Sequence, residues 1–92
     1  MIQVSYGDLD MHNHVNNLRY VEWMINWLPL EFLRTHTLKE MEVNYMSEAS
    51  YKDEIAACYE KKGKLNFLHR IMRKNDNLEI CRGRSIWERF GG

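Results

Sequence analysis

The chain concentrates its reactive side chains in Asp8-Leu9-Asp10-Met11-His12-Asn13-His14-Val15-Asn16-Asn17, a polar stretch of carboxylates, imidazoles and carboxamides. A strongly apolar helical pattern begins directly afterwards at Leu18. The first turn of a helix leaves backbone N–H groups free and carries the positive end of the macrodipole, so a carbonyl oxygen that gains negative charge is stabilised there. Histidine supplies proton transfer near neutral pH, because an unperturbed imidazole titrates at about 6.5. The stretch therefore suits a reaction that builds charge on a carbonyl oxygen. Plainer roles compete: Asp10 also suits a turn brace accepting backbone N–H bonds, and His14 a histidine packed under the helix. His12 and His14 stand two apart without a supporting carboxylate geometry, so neither a metal nor any other cofactor is expected.

The surrounding elements must hold that stretch in place. Ile2-Gln3-Val4-Ser5-Tyr6 alternates apolar and polar residues as a half-buried strand does, and Gly7-Asp8 ends it. Asn16 or Asn17 suits the N-cap of the helix. Leu18, Val21, Ile25 and Leu28 form one helical stripe, which Tyr20, Trp23, Met24 and Trp27 widen until only Arg19, Glu22 and Asn26 remain as a polar edge. A helix this apolar has to be wrapped by other elements. Pro29 stops or kinks it, Leu30 to Arg34 adds a further turn, and Thr35-His36-Thr37 reads as a polar connection.

From Leu38 the period becomes two. Met41, Val43 and Tyr45 share one face of a strand and Glu40, Glu42 and Asn44 the other; Ile55, Ala57 and Tyr59 mark the next strand. Leu65, Phe67 and Ile71 lie between the turns Lys62-Gly63-Lys64 and Asn75-Asp76-Asn77, and Leu78 to Phe90 closes the series. Short connections imply antiparallel pairing, here a meander. The expectation is an α+β domain spanning residues 1–92, in which an antiparallel sheet of about five strands wraps one long central helix.

A chain of 92 residues buries a modest fraction of its surface, which makes association with a second copy expected on size alone. Thirteen basic and thirteen acidic residues cancel, which argues against nucleic acid or an anionic membrane as partner. Cys58 and Cys81 show no metal-ligand spacing and read as reduced thiols. No apolar run approaches the roughly 20 residues that span a bilayer, and no signal peptide heads the chain. A cytoplasmic protein is the expectation.

Asp10-Met11-His12-Asn13-His14-Val15-Asn16-Asn17 leading into Tyr20-Val21-Glu22-Trp23, with Met41 to Glu48 as a weaker match, resembles the carboxy-terminal hotdog half of the acyl-acyl carrier protein thioesterases of bacteria and plants. The resemblance implies the hotdog fold and hydrolysis of a fatty acyl thioester. It places the family's catalytic Asp at Asp10, its His at His14 and its Glu at Glu48. His12 stands where the family usually has Asn, and Ala49 where plant enzymes carry a Cys. Family members carry two hotdog halves, so the resemblance also implies a homodimer or a pairing with a second hotdog domain.

Thioester hydrolysis needs an activated water and an oxyanion site, while the thiolate leaves readily. Glu48 or Asp10 would deprotonate or orient the water, His14 would hydrogen-bond the carbonyl oxygen or share the proton traffic, and backbone N–H groups near Val15, Asn16 and Asn17 would hold the oxyanion. Met24, Trp27, Leu28 and Met41 are candidates for an apolar acyl slot. Carriers are acyl carrier protein, which is acidic, or coenzyme A. Lys61, Lys62 and Lys64, or Arg70, Arg73, Lys74, Arg82 and Arg84, would supply a basic docking surface. A non-catalytic acyl-binding or assembly module is the alternative.

Overall fold

Asn16 decides where the helix begins. In a computed structural model, which describes residues 2–91, its Oδ1 accepts the Leu18 N–H at 3.0 Å and α1 runs over Asn17–Asn26. Trp27 closes α1, and Pro29 stands at the head of the short α2, Leu30–Thr35, where its carbonyl accepts the Leu33 N–H at 3.1 Å. The proline break therefore falls where the sequence places it.

The strands are β1 (Ile2–Gln3), β2 (His36–Tyr45), β3 (Glu54–Lys61), β4 (Asn66–Arg73) and β5 (Leu78–Arg89). They form one antiparallel sheet in the order β1-β3-β4-β5-β2. Two local expectations are corrected. The first strand ends at Gln3, because Ser5 turns onto Asp8: its N–H and hydroxyl both donate to Asp8 Oδ2, at 2.9 and 3.1 Å, and Tyr6–Asp8 closes into a 3-10 turn. Thr35-His36-Thr37 is no free connection, since His36 and Thr37 already pair with Arg89 and Glu88.

The meander holds only for β3, β4 and β5. Strand β2 lies on the far side of β5, so the residues after it must cross three strand spacings, about 14 Å, to reach β3. That crossing carries Glu48 past the amino end of α1. A register shift between Ile71 and Met72 leaves Ile80 without a pairing partner in β4, and the Ile80 carbonyl instead accepts the N–H groups of Met46 and Ser47, at 2.9 and 3.0 Å. The bulge thus anchors the connection at its start.

One face of α1 lies on the sheet. Tyr20, Trp23 and Met24 are buried and pack with Ile55, Ile71, Ile80 and Cys81, while Leu28, just past the helix, packs with Phe67 and Trp87. Burying each large apolar side chain stabilises the fold by about 1.5–3 kcal/mol. Leu18 remains 62% exposed, so the sheet covers the Tyr20 side of the helix and not the Leu18 side; Trp27, at the C-cap, is 50% exposed. Gly83 leaves room for Met24 of α1 to pack onto the sheet: a Cβ there would meet Met24 Sδ, and the Glu42 carbonyl of β2, at 3.0 Å. No helix among the described residues is long and apolar enough to cross a membrane.

Candidate active site

The polar stretch folds into a tight turn whose centre is Asp10. Its Oδ1 accepts the backbone N–H groups of His12 and His14, at 2.9 and 3.1 Å, and its own N–H donates to the His14 carbonyl at 2.8 Å. Asn13 takes φ 63°, a left-handed conformation that Asn tolerates better than most residues. Leu9 bridges Val15, and the Asn16 N–H donates to the Asp8 carbonyl at 2.9 Å. These bonds leave the imidazoles of His12 and His14 outside the turn, both exposed.

His14 meets Glu48 there. Nδ1 of His14 lies 2.5 Å from Oε1 of Glu48, a contact between residues 34 apart in the chain, with both side chains more than half exposed. The hydrogen bond that His14 donates to Glu48, then the Glu48 charge, holds the His14 imidazolium to higher pH than usual. The Asp10 carboxyl is held below its ordinary range chiefly by the two backbone N–H bonds from His12 and His14. An acceptor so committed is a poor base. Nε2 of His14 has no hydrogen-bond partner among the described residues.

Glu48 sits three residues beyond the end of β2, not at its last position as a strand-end glutamate would. The Glu48–Ala49 peptide is held at both ends: its N–H donates to the Tyr20 hydroxyl at 3.0 Å, and its carbonyl accepts from Arg73 Nη1 at 3.4 Å. Sequence reasoning treated Tyr20 as packing alone. The available signal was a phenol on the buried stripe of a helix, since a buried tyrosine O–H usually finds a polar partner.

The remaining predicted residues divide. Asn17 opens α1, and its N–H has no partner among the described residues, whereas the N–H of Asn16 is committed to Asp8 and cannot also serve an oxyanion. The Val15 side chain is core, leaving only its backbone for substrate. Met24 does not line an open slot: it is 1% exposed and fills the space over Gly83. Trp27, half exposed, stands at the other end of α1, about 15 Å of axial rise from Asn17. His12 keeps its backbone bond to Asp10 and has no side-chain partner among the described residues.

The basic cluster, which lies mainly on the outer sheet face, is largely neutralised. Arg70 and Arg82 both pair with Glu79, at 3.1 and 2.6 Å, Arg84 pairs with Glu42 at 2.9 Å, and Arg73 with Asp76 at 2.9 Å. A hollow of about 340 Å³ on that face is lined by Cys58, Leu68, Arg70, Met72 and Arg82 and contains none of the turn residues or Glu48.

A curled five-stranded antiparallel sheet wrapped on α1 defines a hotdog domain. The acyl-ACP thioesterase C-terminal domain family matches residues 1–89, and the chain belongs to that family. The chloroplastic oleoyl-acyl carrier protein thioesterase of Coriandrum sativum is 30% identical over 108 residues, a match that takes in 90% of this chain and 29% of the relative. Among solved structures, an acyl-ACP thioesterase from Bacteroides thetaiotaomicron superposes with a TM-score of 0.85 at 25% identity, covering 95% of this chain and 35% of that one. The 12:0-ACP thioesterase from Umbellularia californica gives 0.86 at 23% identity, covering 96% and 33%. The chain thus spans about a third or less of each of these proteins.

Proposed function

We propose that this chain carries the hydrolytic site of an acyl-acyl carrier protein thioesterase, with His14 and Glu48 as the working pair. The observation that carries the reading is the 2.5 Å contact between His14 Nδ1 and Glu48 Oε1 beside the first turn of α1. Glu48 accepts the Nδ1 proton and so selects the tautomer whose Nε2 lone pair faces outward. Nε2 takes a proton as a water oxygen bonds to the acyl carbon, and the carbonyl oxygen becomes an oxyanion near the unpaired Asn17 N–H and the α1 dipole. Collapse re-forms the carbonyl and breaks the C–S bond. The proton on Nε2 passes to the departing thiolate, leaving a free fatty acid and the carrier thiol.

Asp10 serves as the brace that presents His14, because its acceptor oxygen is already bonded twice. The acyl chain needs walls beyond those of this chain, since Met24 is sealed in the core and Trp27 stands apart from the turn. A second hotdog domain, or a second copy of this chain, seated on the exposed Leu18 side of α1 would complete the slot. His12, standing where the family resemblance expects Asn, is the observation that favours the alternative of a non-catalytic acyl-binding module. Incubating the protein with acyl-acyl carrier protein and acyl-coenzyme A, and following released thiol, separates these readings. Turnover of the carrier-protein ester that is lost in His14→Ala supports the proposal. Preference for the coenzyme ester reassigns the carrier, and tight acyl retention without turnover selects the binding module.

A further inference from the structure

We infer that the Tyr20 hydroxyl is a positioning group for Glu48: it grips the Glu48–Ala49 peptide so that the carboxylate stays on His14. This rests on the His14–Glu48 pairing proposed above. A carboxylate more than half exposed, on a connection that crosses the end of the sheet, has many rotamers and little side-chain packing to select one. Its direction must therefore be set through the backbone.

That backbone is held on both sides of Glu48. Met46 and Ser47 donate to the Ile80 carbonyl at 2.9 and 3.0 Å before Glu48, and the Ala49 N–H after it donates to the Tyr20 oxygen at 3.0 Å. Arg73 Nη1 approaches the carbonyl of the same peptide at 3.4 Å, while its other nitrogens bind Asp76. Tyr20 is itself immobile: 1% exposed, its ring meets Trp23 edge-on at 5.5 Å and Tyr45 at 5.8 Å. It lies on α1 three residues after Asn17, so one rigid element carries both the oxyanion end and the anchor of Glu48. Burial chiefly, against the opposing pull of the Ala49 N–H bond, raises the Tyr20 phenol above its ordinary range and keeps it neutral. Ala49 is 4% exposed, so losing the phenol oxygen strands its N–H away from water.

A purely structural tyrosine would leave the titration of His14 alone, which separates the two roles. Tyr20→Phe keeps the ring and deletes only the oxygen. In the full chain, followed by NMR of the His14 ring protons, its His14 midpoint is expected to fall toward that of Glu48→Gln. Thioester turnover is expected to drop roughly tenfold to a hundredfold in kcat with KM unchanged. A folded Tyr20→Phe protein with the wild-type His14 midpoint overturns the inference whatever its activity. Amide exchange in the unmutated protein gives a second test that needs no variant: the Ala49 N–H is expected to be protected, and exchange at the rate of an open amide overturns the inference. If Glu48→Gln itself leaves the His14 midpoint unmoved, the pairing fails and this inference falls with it, an outcome distinct from a failure of Tyr20→Phe alone.

Discussion

Replacing His69 by Gln should make the protein much less sensitive to mild acid. His69 is 3% exposed on β4, with Nε2 2.7 Å from the Ser85 hydroxyl, which also accepts the Trp87 indole N–H at 2.8 Å. Its Nδ1 is buried without a partner, so a second proton would place a charge where nothing balances it. Burial pushes the His69 midpoint down to about 4. In the unfolded chain the same side chain titrates near 6.5, so below that pH the unfolded state binds the extra proton and the folded state refuses it. Stability from His69 is therefore fully present above about 6.5, is lost as pH falls, and levels off below about 4. The whole span corresponds to about 3 kcal/mol, of which about 2 kcal/mol has gone by pH 5. That is a large fraction of the 5–15 kcal/mol typical of a folded domain. Urea unfolding followed by tryptophan fluorescence at pH 7.5 and pH 5, in wild type and His69→Gln, measures it. His14, whose midpoint is raised by Glu48, contributes stability below 6.5 that is lost as pH rises, but it is common to both proteins and cancels in the comparison. The wild type should lose about 2 kcal/mol more than the variant between the two pH values. Equal losses would refute the claim that His69 is held neutral by burial.

Two further predictions concern the elements that carry the site. Asn16→Ala removes the oxygen that caps Leu18 and should cost about 1 kcal/mol in thermal or urea unfolding, whereas Asn16→Gly should cost only a few tenths. Gly83→Ala drives a methyl to 3.0 Å from the backbone carbonyl of Glu42 and from Met24 Sδ, and should destabilise by about 1–3 kcal/mol; an unchanged urea midpoint would mean that the helix-to-sheet approach is looser than described.

Much of this architecture could be read locally. The helix cap at Asn16, the break at Pro29 and the two turns between β3, β4 and β5 depend on residues within a few positions of one another. The partner of β2 could not be read that way, because its pairing with β5 joins residues that alternation alone does not match. Ser5 overrode the alternation of Ile2 to Tyr6 through its bonds to Asp8, a side-chain effect that a period-two pattern ignores. The apolar stripe of α1 is legible in the sequence but the side that faces the sheet is not, so periodicity does not distinguish a slot residue from the filler that Met24 is over Gly83. In the site, the turn was legible from composition, while Glu48 was placed only by family resemblance: 34 residues separate it from His14. The sequence does not rank Asp10 against Glu48 as a base, because the two N–H bonds that occupy Asp10 form only in the folded turn.

The most direct test of the His14–Glu48 pair is the pH dependence of kcat/KM for thioester hydrolysis in wild type and Glu48→Gln. With His14 as the base, the rate should rise with pH on a limb set by His14, lying above 6.5 because Glu48 stabilises the imidazolium. Glu48→Gln should move that limb to lower pH and lower the plateau roughly a hundredfold or more. A limb that stays in place, with the plateau unchanged, would contradict the account.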